Sequence, residues 1–240
     1  MKNLFFLVAI AIVFPACSSG QFDLGKIGKD INNSINKKPL SNQEIIDGLK
    51  QALSIGSQNA SGSASKTDGY FRHPLIKIPF PPQAEKMEKK LRSLGMDNQV
   101  DEFVLTMNRA AEEAAKQAAP IFVDAVKSMT ITDGVNILKG KDTAATNYLR
   151  QKTSLSLHDK FKPVILSATQ KVEVTKYWNP LITTYNKLPF VDRLNPDLDE
   201  YITQKALSGL FYLVSQEEVK IRKDPAARVT DLLKKVFGNK

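Results

Sequence analysis

The sequence predicts an all-α protein: a single-domain multi-helix bundle with one short, extended, proline-rich segment at about residues 71–82. Three observations carry that expectation. Apolar residues recur at three- and four-residue steps from Ser41 to Phe237. Helix start and stop signals punctuate those runs. The prolines gathered between Phe71 and Pro82 forbid a central strand in the one stretch that alternates.

Ser41 is a good N-cap and Glu44 completes a capping box, ahead of an apolar face of Ile45, Ile46, Leu49 and Leu53. That helix is expected to fade near Gly56, leaving Ser57 to Gly69 as the most loop-like stretch of the domain. Ile76, Ile78 and Phe80 then alternate with Lys77 and Pro79, which suits an edge strand or a polyproline-like strip laid across helices. A helix from about Gln83 to Leu94 stops at Gly95. Asp97 to Ala119 is the clearest helix, with Val100, Phe103, Val104, Met107, Ala111, Ala114 and Ala118 on one face. Pro120 ends or kinks it and suits the first turn of the next helix, Ile121 to Met129. Further helices are expected at 132–139, 142–152, 154–172 with a bend at Pro163, and 176–187.

Asn195-Pro196-Asp197 has the form of a cap, a first-turn proline and acids that match the helix dipole. The helix it starts is expected to reach about Glu218. Its middle, Ala206 to Val214, is apolar almost all round, which marks the central core helix. Asp224-Pro225 repeats the start signal before a docking stripe of Val229, Leu232, Leu233, Val236 and Phe237, closed by Gly238.

The amino terminus assigns the domain an address. Lys2 opens a basic n-region, Leu4 to Phe14 form an apolar h-region, and Ala16-Cys17-Ser18-Ser19-Gly20 has the small residues that lipoprotein processing needs around its cysteine. Cys17 is the only cysteine in the chain. Residues 1–16 then form a lipoprotein signal peptide, 17–40 a lipid-anchored tether and 41–240 the helical domain. The other reading is an ordinary secretory signal cleaved near Ala16, leaving a free thiol. A lone cysteine forms no internal disulfide, so the fold stands without staples. Ser18, where an aspartate would resemble an inner-membrane retention signal, favours the outer membrane facing the periplasm.

Within the tether, Leu24, Ile27, Ile31 and Ile35 share a helical stripe among several lysines, as in a helix lying in a membrane interface. Gly25, Gly28 and Asn32-Asn33 favour a loose linker instead. As a coil the tether reaches only about 25 Å, so the domain sits close to the bilayer.

The formal charge is +9. It is compatible with anionic headgroups or acidic polymers, or with a plain solvated surface. Nucleic acid is a poor partner for an exported protein without a recognition motif. His73 and His158 are the only histidines, and they lack the converging ligands of a metal site; no cofactor is expected. GxSxG, P-loop and GxGxxG patterns do not occur in the chain, so serine-hydrolase, phosphoryl-transfer and dinucleotide chemistries lack their main residues.

Three clusters remain as candidate sites. Arg109, Glu112 and Glu113 share a helix at i,i+3 and i,i+4 spacing, as a charged cluster facing a cleft or as a surface ion pair. Tyr177, Trp178, Asn179, Tyr185 and Asn186 combine aromatics with amides, as in grooves for sugars, peptides or lipids; an amphipathic helix burying Trp178, Leu181 and Tyr185 uses the same residues. Arg222, Lys223 and Arg228 flank the last helix start, where an anion would bind, or they pair with Glu217, Glu218 or Asp224. Arg150 joins Arg109 and Tyr185 as a third member of any enzyme cleft.

Many short runs together carry a family resemblance. They include Ile76-Lys77-Ile78-Pro79, Asn108-Arg109-Ala110-Ala111-Glu112, Pro120-Ile121-Phe122, Ile137-Leu138-Lys139-Gly140 and Tyr148-Leu149-Arg150. Tyr177-Trp178-Asn179, Tyr185-Asn186-Lys187-Leu188-Pro189, Asn195-Pro196-Asp197-Leu198 and Asp224-Pro225-Ala226-Ala227-Arg228 extend it. In these the chain resembles the bacterial family known as domain of unknown function 4197, over roughly Asn42 to Gly238. The loop Gly69 to Pro74 departs from that family's pattern. The resemblance implies an exported, often lipid-anchored helical protein, and supplies no activity and no catalytic residues.

The function expected from these features is an envelope lipoprotein, held at the membrane through lipid on Cys17. Its domain binds a hydrophobic or anionic ligand or an envelope protein without turning it over. A cell-wall or lipid hydrolase or lyase is the alternative, and a scaffold that oligomerises through the alanine-rich helix is a third. The sequence leaves the oligomeric state open.

Overall fold

The computed structural model describes residues 41–171, 174–191 and 197–238. Among them the structure is all-α: α1 (Asn42–Ala64), α2 (Glu85–Ser93), α3 (Asp97–Ala115), α4 (Ala118–Lys127), α5 (Ile131–Lys139), α6 (Ala144–Lys171), α7 (Val174–Asn186), α8 (Leu198–Lys223) and α9 (Asp231–Phe237). Short 3₁₀ turns at Pro82–Ala84 and Pro225–Ala227 precede α2 and α9.

α8 is the central helix. It packs against α1, α3 and α6, and Ala206, Leu210 and Phe211 on its middle turns are buried. Around it, α3 also meets α6 and α7, while α1 carries α4, α5 and α9. The Ser41 capping box forms as its spacing implies, and Thr130 with Asp133 builds a second one at the start of α5.

α1 runs eight residues beyond its expected end at Gly56. The small residues that read as a loop are an interface. Gly56, Ser57, Ala60, Ser61 and Ala64 are buried, and a Cβ on Gly56 would lie 3.4 Å from Cβ of Glu217 on α8. The Ser57 and Ser61 hydroxyls donate to the carbonyls of Ser54 and Ser57, so burial leaves neither unsatisfied.

α6 is likewise one helix where two were expected. Thr153, at the expected break, is buried and donates to the Leu149 carbonyl at 2.6 Å. Pro163 lies inside this helix without ending it. α3 stops earlier than expected, at Ala115, because Pro120 has no N–H to continue the ladder.

The α8 cap is Asp197, whose side chain accepts from Glu200 N–H, so the helix starts at Leu198. Asn195 and Pro196 lie outside the described residues. Asp224-Pro225 starts only a 3₁₀ turn; α9 begins after Thr230, whose hydroxyl accepts from Leu233 N–H. Val229 therefore lies ahead of the helix and is exposed, leaving the docking stripe to Leu232, Leu233, Val236 and Phe237.

The proline-rich segment divides in two. Residues 71–76 are wound mainly into turns, 77–79 form neither helix nor turn, and the chain bends at Phe80. Ile78 and Phe80 are buried while Lys77 and Pro79 face solvent, as the alternation implies. In place of a neighbouring strand, the side chain of Asn108 on α3 bonds both backbone groups of Ile78.

Candidate functional site

The last turns of α3 present a row of charge. Arg109 sits between two carboxylates, donating to Glu112 at 2.6 Å and to Asp68 at 2.6 Å. Burial opposes the charge on Arg109, and the bonds to Glu112 and Asp68 outweigh it, raising its pKa above the ordinary arginine value. Asp68 is held at φ +67°, a left-handed conformation that aspartate tolerates better than most residues, and its other oxygen takes Arg72 at 3.0 Å.

Glu112 is the pivot of this group. Its side chain is 5 % exposed, and it accepts from the backbone N–H groups of Tyr70 and Phe71 as well as from Arg109. Tyr70 lies beneath, with its hydroxyl donating to the Ala206 carbonyl at 2.6 Å; burial, and secondarily the charge of Glu112, pushes its phenol well above the usual range. The turns after α1 are thus pinned to α3 and α8 by one buried carboxylate and one buried phenol.

Beside this group opens a cleft of about 750 Å³. On one side, α3 and the two residues after it supply Arg109, Glu112, Glu113, Lys116 and Gln117. On another, α6 supplies Pro163, Val164, Ser167 and Ala168, and the turn after α1 adds Ser65 and Thr67. Glu113 and Lys116 form their own ion pair at 2.5 Å. The cleft is therefore two-faced: charged but internally paired along α3, small and mainly apolar along α6.

Of the candidate site residues singled out in the sequence, Arg109, Glu112 and Glu113 line this cleft. Trp178 and Tyr185 are buried in the core, and Trp178 stacks on Phe103 with centroids 4.7 Å apart. Asn179 is exposed on the outer side of α7. The side chain of Tyr177 lies outside the described residues, and Asn186 has an interaction partner. Arg150 is exposed, its guanidinium 4.4 Å from the centroid of the Phe211 ring.

Arg222 and Arg228 close protein contacts. Arg222 bonds Glu218 at 2.9 Å and the Ile137 carbonyl at 2.9 Å. Glu218 in turn accepts from the N–H groups of Ala145 and Thr146, so a buried carboxylate from α8 caps the first turn of α6. Arg228 donates to the carbonyls of Ile221 and Arg222 at the end of α8. Beside the Glu218–Arg222 pair lies a void of about 20 Å³, bounded also by Leu53, Val214 and Phe237. That is room for one water molecule.

Sequence reading missed Asp68, Thr67, Lys116, Gln117, Ser167 and the apolar wall of α6. The signal for α6 was Pro163, whose ring forms part of that wall; nothing local tied Asp68 to Arg109, 41 residues away. Cys17, the signal peptide and the tether all lie outside the described residues. Among the described residues no group of histidine, cysteine, aspartate and glutamate side chains is placed to hold a metal ion. No helix there is long and apolar enough to cross a membrane.

A family model described as a protein of unknown function (DUF4197) matches residues 39–238. The chain belongs to that family. No curated protein and no solved structure matches it.

Proposed function

We propose that this member of the DUF4197 family is a lipid-anchored envelope protein whose helical domain binds a ligand or partner in the cleft beside Arg109, without chemical turnover. The cleft carries this reading, through the way its charges are arranged. Glu112 holds three donors, Glu113 holds Lys116, and Arg109 is shared between two carboxylates. A general acid or base needs a carboxylate poised to exchange its proton with substrate. Carboxylates clamped in ion pairs serve instead to fix the shape and polarity of a binding surface.

The anchor rests on the sequence around Cys17 and on a tether short enough to hold the domain near the bilayer. Fractionation of cells that produce the Cys17→Ala variant tests it: the protein should leave the membrane fraction, and persistent membrane association would contradict anchoring. Binding is tested by native mass spectrometry of the purified protein. A species released on substitution of a cleft residue supports the reading; identical clean masses for wild type and cleft variants contradict it.

A further inference from the structure

Three side chains around the cleft are uncommitted. The side chains of Thr67, Gln117 and Ser167 are exposed and make no hydrogen bond to the described residues, although all three border it. Two hydroxyls and a primary amide both donate and accept, as a peptide backbone requires of its partner. The two sides of the cleft differ in kind, with paired charges along α3 and Pro163, Val164 and Ala168 along α6. An extended peptide turns successive side chains to opposite faces. One with alternating apolar and polar residues would lay the apolar set on α6 and the polar set on α3.

The protein already holds one of its own segments in this manner. Across residues 76–80 the buried Ile76, Ile78 and Phe80 alternate with exposed Lys77 and Pro79, and the Asn108 amide bonds Ile78 N–H at 2.8 Å and its carbonyl at 2.9 Å. Other occupants fit less well. An acyl chain would strip water from the charged side without replacing it. A sugar ring stacks on an aromatic face, and the described lining offers side chains of other types.

We infer that the cleft between α3, α6 and the 65–67 turn takes a short extended peptide segment of alternating apolar and polar side chains, its backbone met by Thr67, Gln117 and Ser167. This rests on the reading of the cleft as a binding site. The test is fluorescence anisotropy on the full chain in detergent. The probe is a labelled, acetylated and amidated hexapeptide that alternates valine with lysine and glutamate, compared with the same composition in block order. The alternating probe should bind at least tenfold more tightly. Ser167→Trp, which fills the cleft from an exposed position, should weaken it at least tenfold, and Gln117→Ala severalfold, with unchanged thermal unfolding.

Equal affinity for the two peptides, or binding unaffected by Ser167→Trp, overturns the inference. Native mass spectra of the same preparations separate the two levels. A co-purifying lipid or saccharide lost in Ser167→Trp leaves the cleft a binding site and overturns the peptide. No peptide binding and no bound species sensitive to Ser167→Trp overturns both.

Discussion

Asn108 grips Ile78 by both of its backbone groups, accepting from the N–H at 2.8 Å and donating to the carbonyl at 2.9 Å. Its remaining amide hydrogen goes to the Val104 carbonyl at 2.8 Å, and the side chain is fully buried. Asn108→Ala leaves two backbone groups of Ile78 unpaired in the core, at a cost of about 2–4 kcal/mol. Asn108→Asp removes the donor and adds a buried charge, so it should be at least as damaging. Urea denaturation of both variants checks the order.

Glu218 and Arg222 should be strongly coupled. Removing the carboxylate in Glu218→Ala strands Arg222 and uncaps α6, for a loss of about 3–5 kcal/mol. Replacing both residues with leucine should cost less than the single change, because no buried charge is left unpaired. A double-mutant cycle on chemical unfolding measures that coupling.

Gly209→Ala tests packing against propensity. In an exposed helix the change would stabilise by about 1 kcal/mol. Here the new Cβ would lie 2.8 Å from the Tyr70 ring and 3.0 Å from Cβ of Ile76, both buried and hemmed in. The net effect should be destabilising by about 1–3 kcal/mol in a thermal unfolding comparison.

Glu200 gives a pH signature. Hydrogen bonds from Lys162, Gln204 and His158 hold its pKa down at about 2, below the ordinary 4.5. A carboxylate depressed in the folded state adds stability above its unfolded pKa and loses that contribution as pH falls through the folded one. The effect should therefore fade between about pH 4.5 and 2. The group is 32 % exposed and screened by water, so its worth is under about 1 kcal/mol. Glu200→Gln should flatten that part of the stability profile, which acid titration of the folded protein measures.

The parts of the fold that were legible in the sequence depend on local chemistry. The Ser41–Glu44 box, the alternation around Ile78 and the all-round apolar middle of α8 follow from neighbours within a few residues. The misread parts depend on partners far along the chain. Gly56 read as a helix end and Ser57 as a loop because their helical role needs α8 beside them, and Thr153 read as a break because its back-bond to Leu149 is visible only once the helix exists. The cleft divides in the same way. Arg109 and Glu112 were paired by helical spacing, but Asp68 and the wall at Pro163 reach them only through the tertiary fold.

The most direct test of cleft binding is native mass spectrometry of the protein gently purified from cells that produce it, wild type beside Ser167→Trp. The account predicts a bound species on the wild type that is absent from the variant, with both proteins equally folded. A species retained by Ser167→Trp, or no difference between the two spectra, would contradict it.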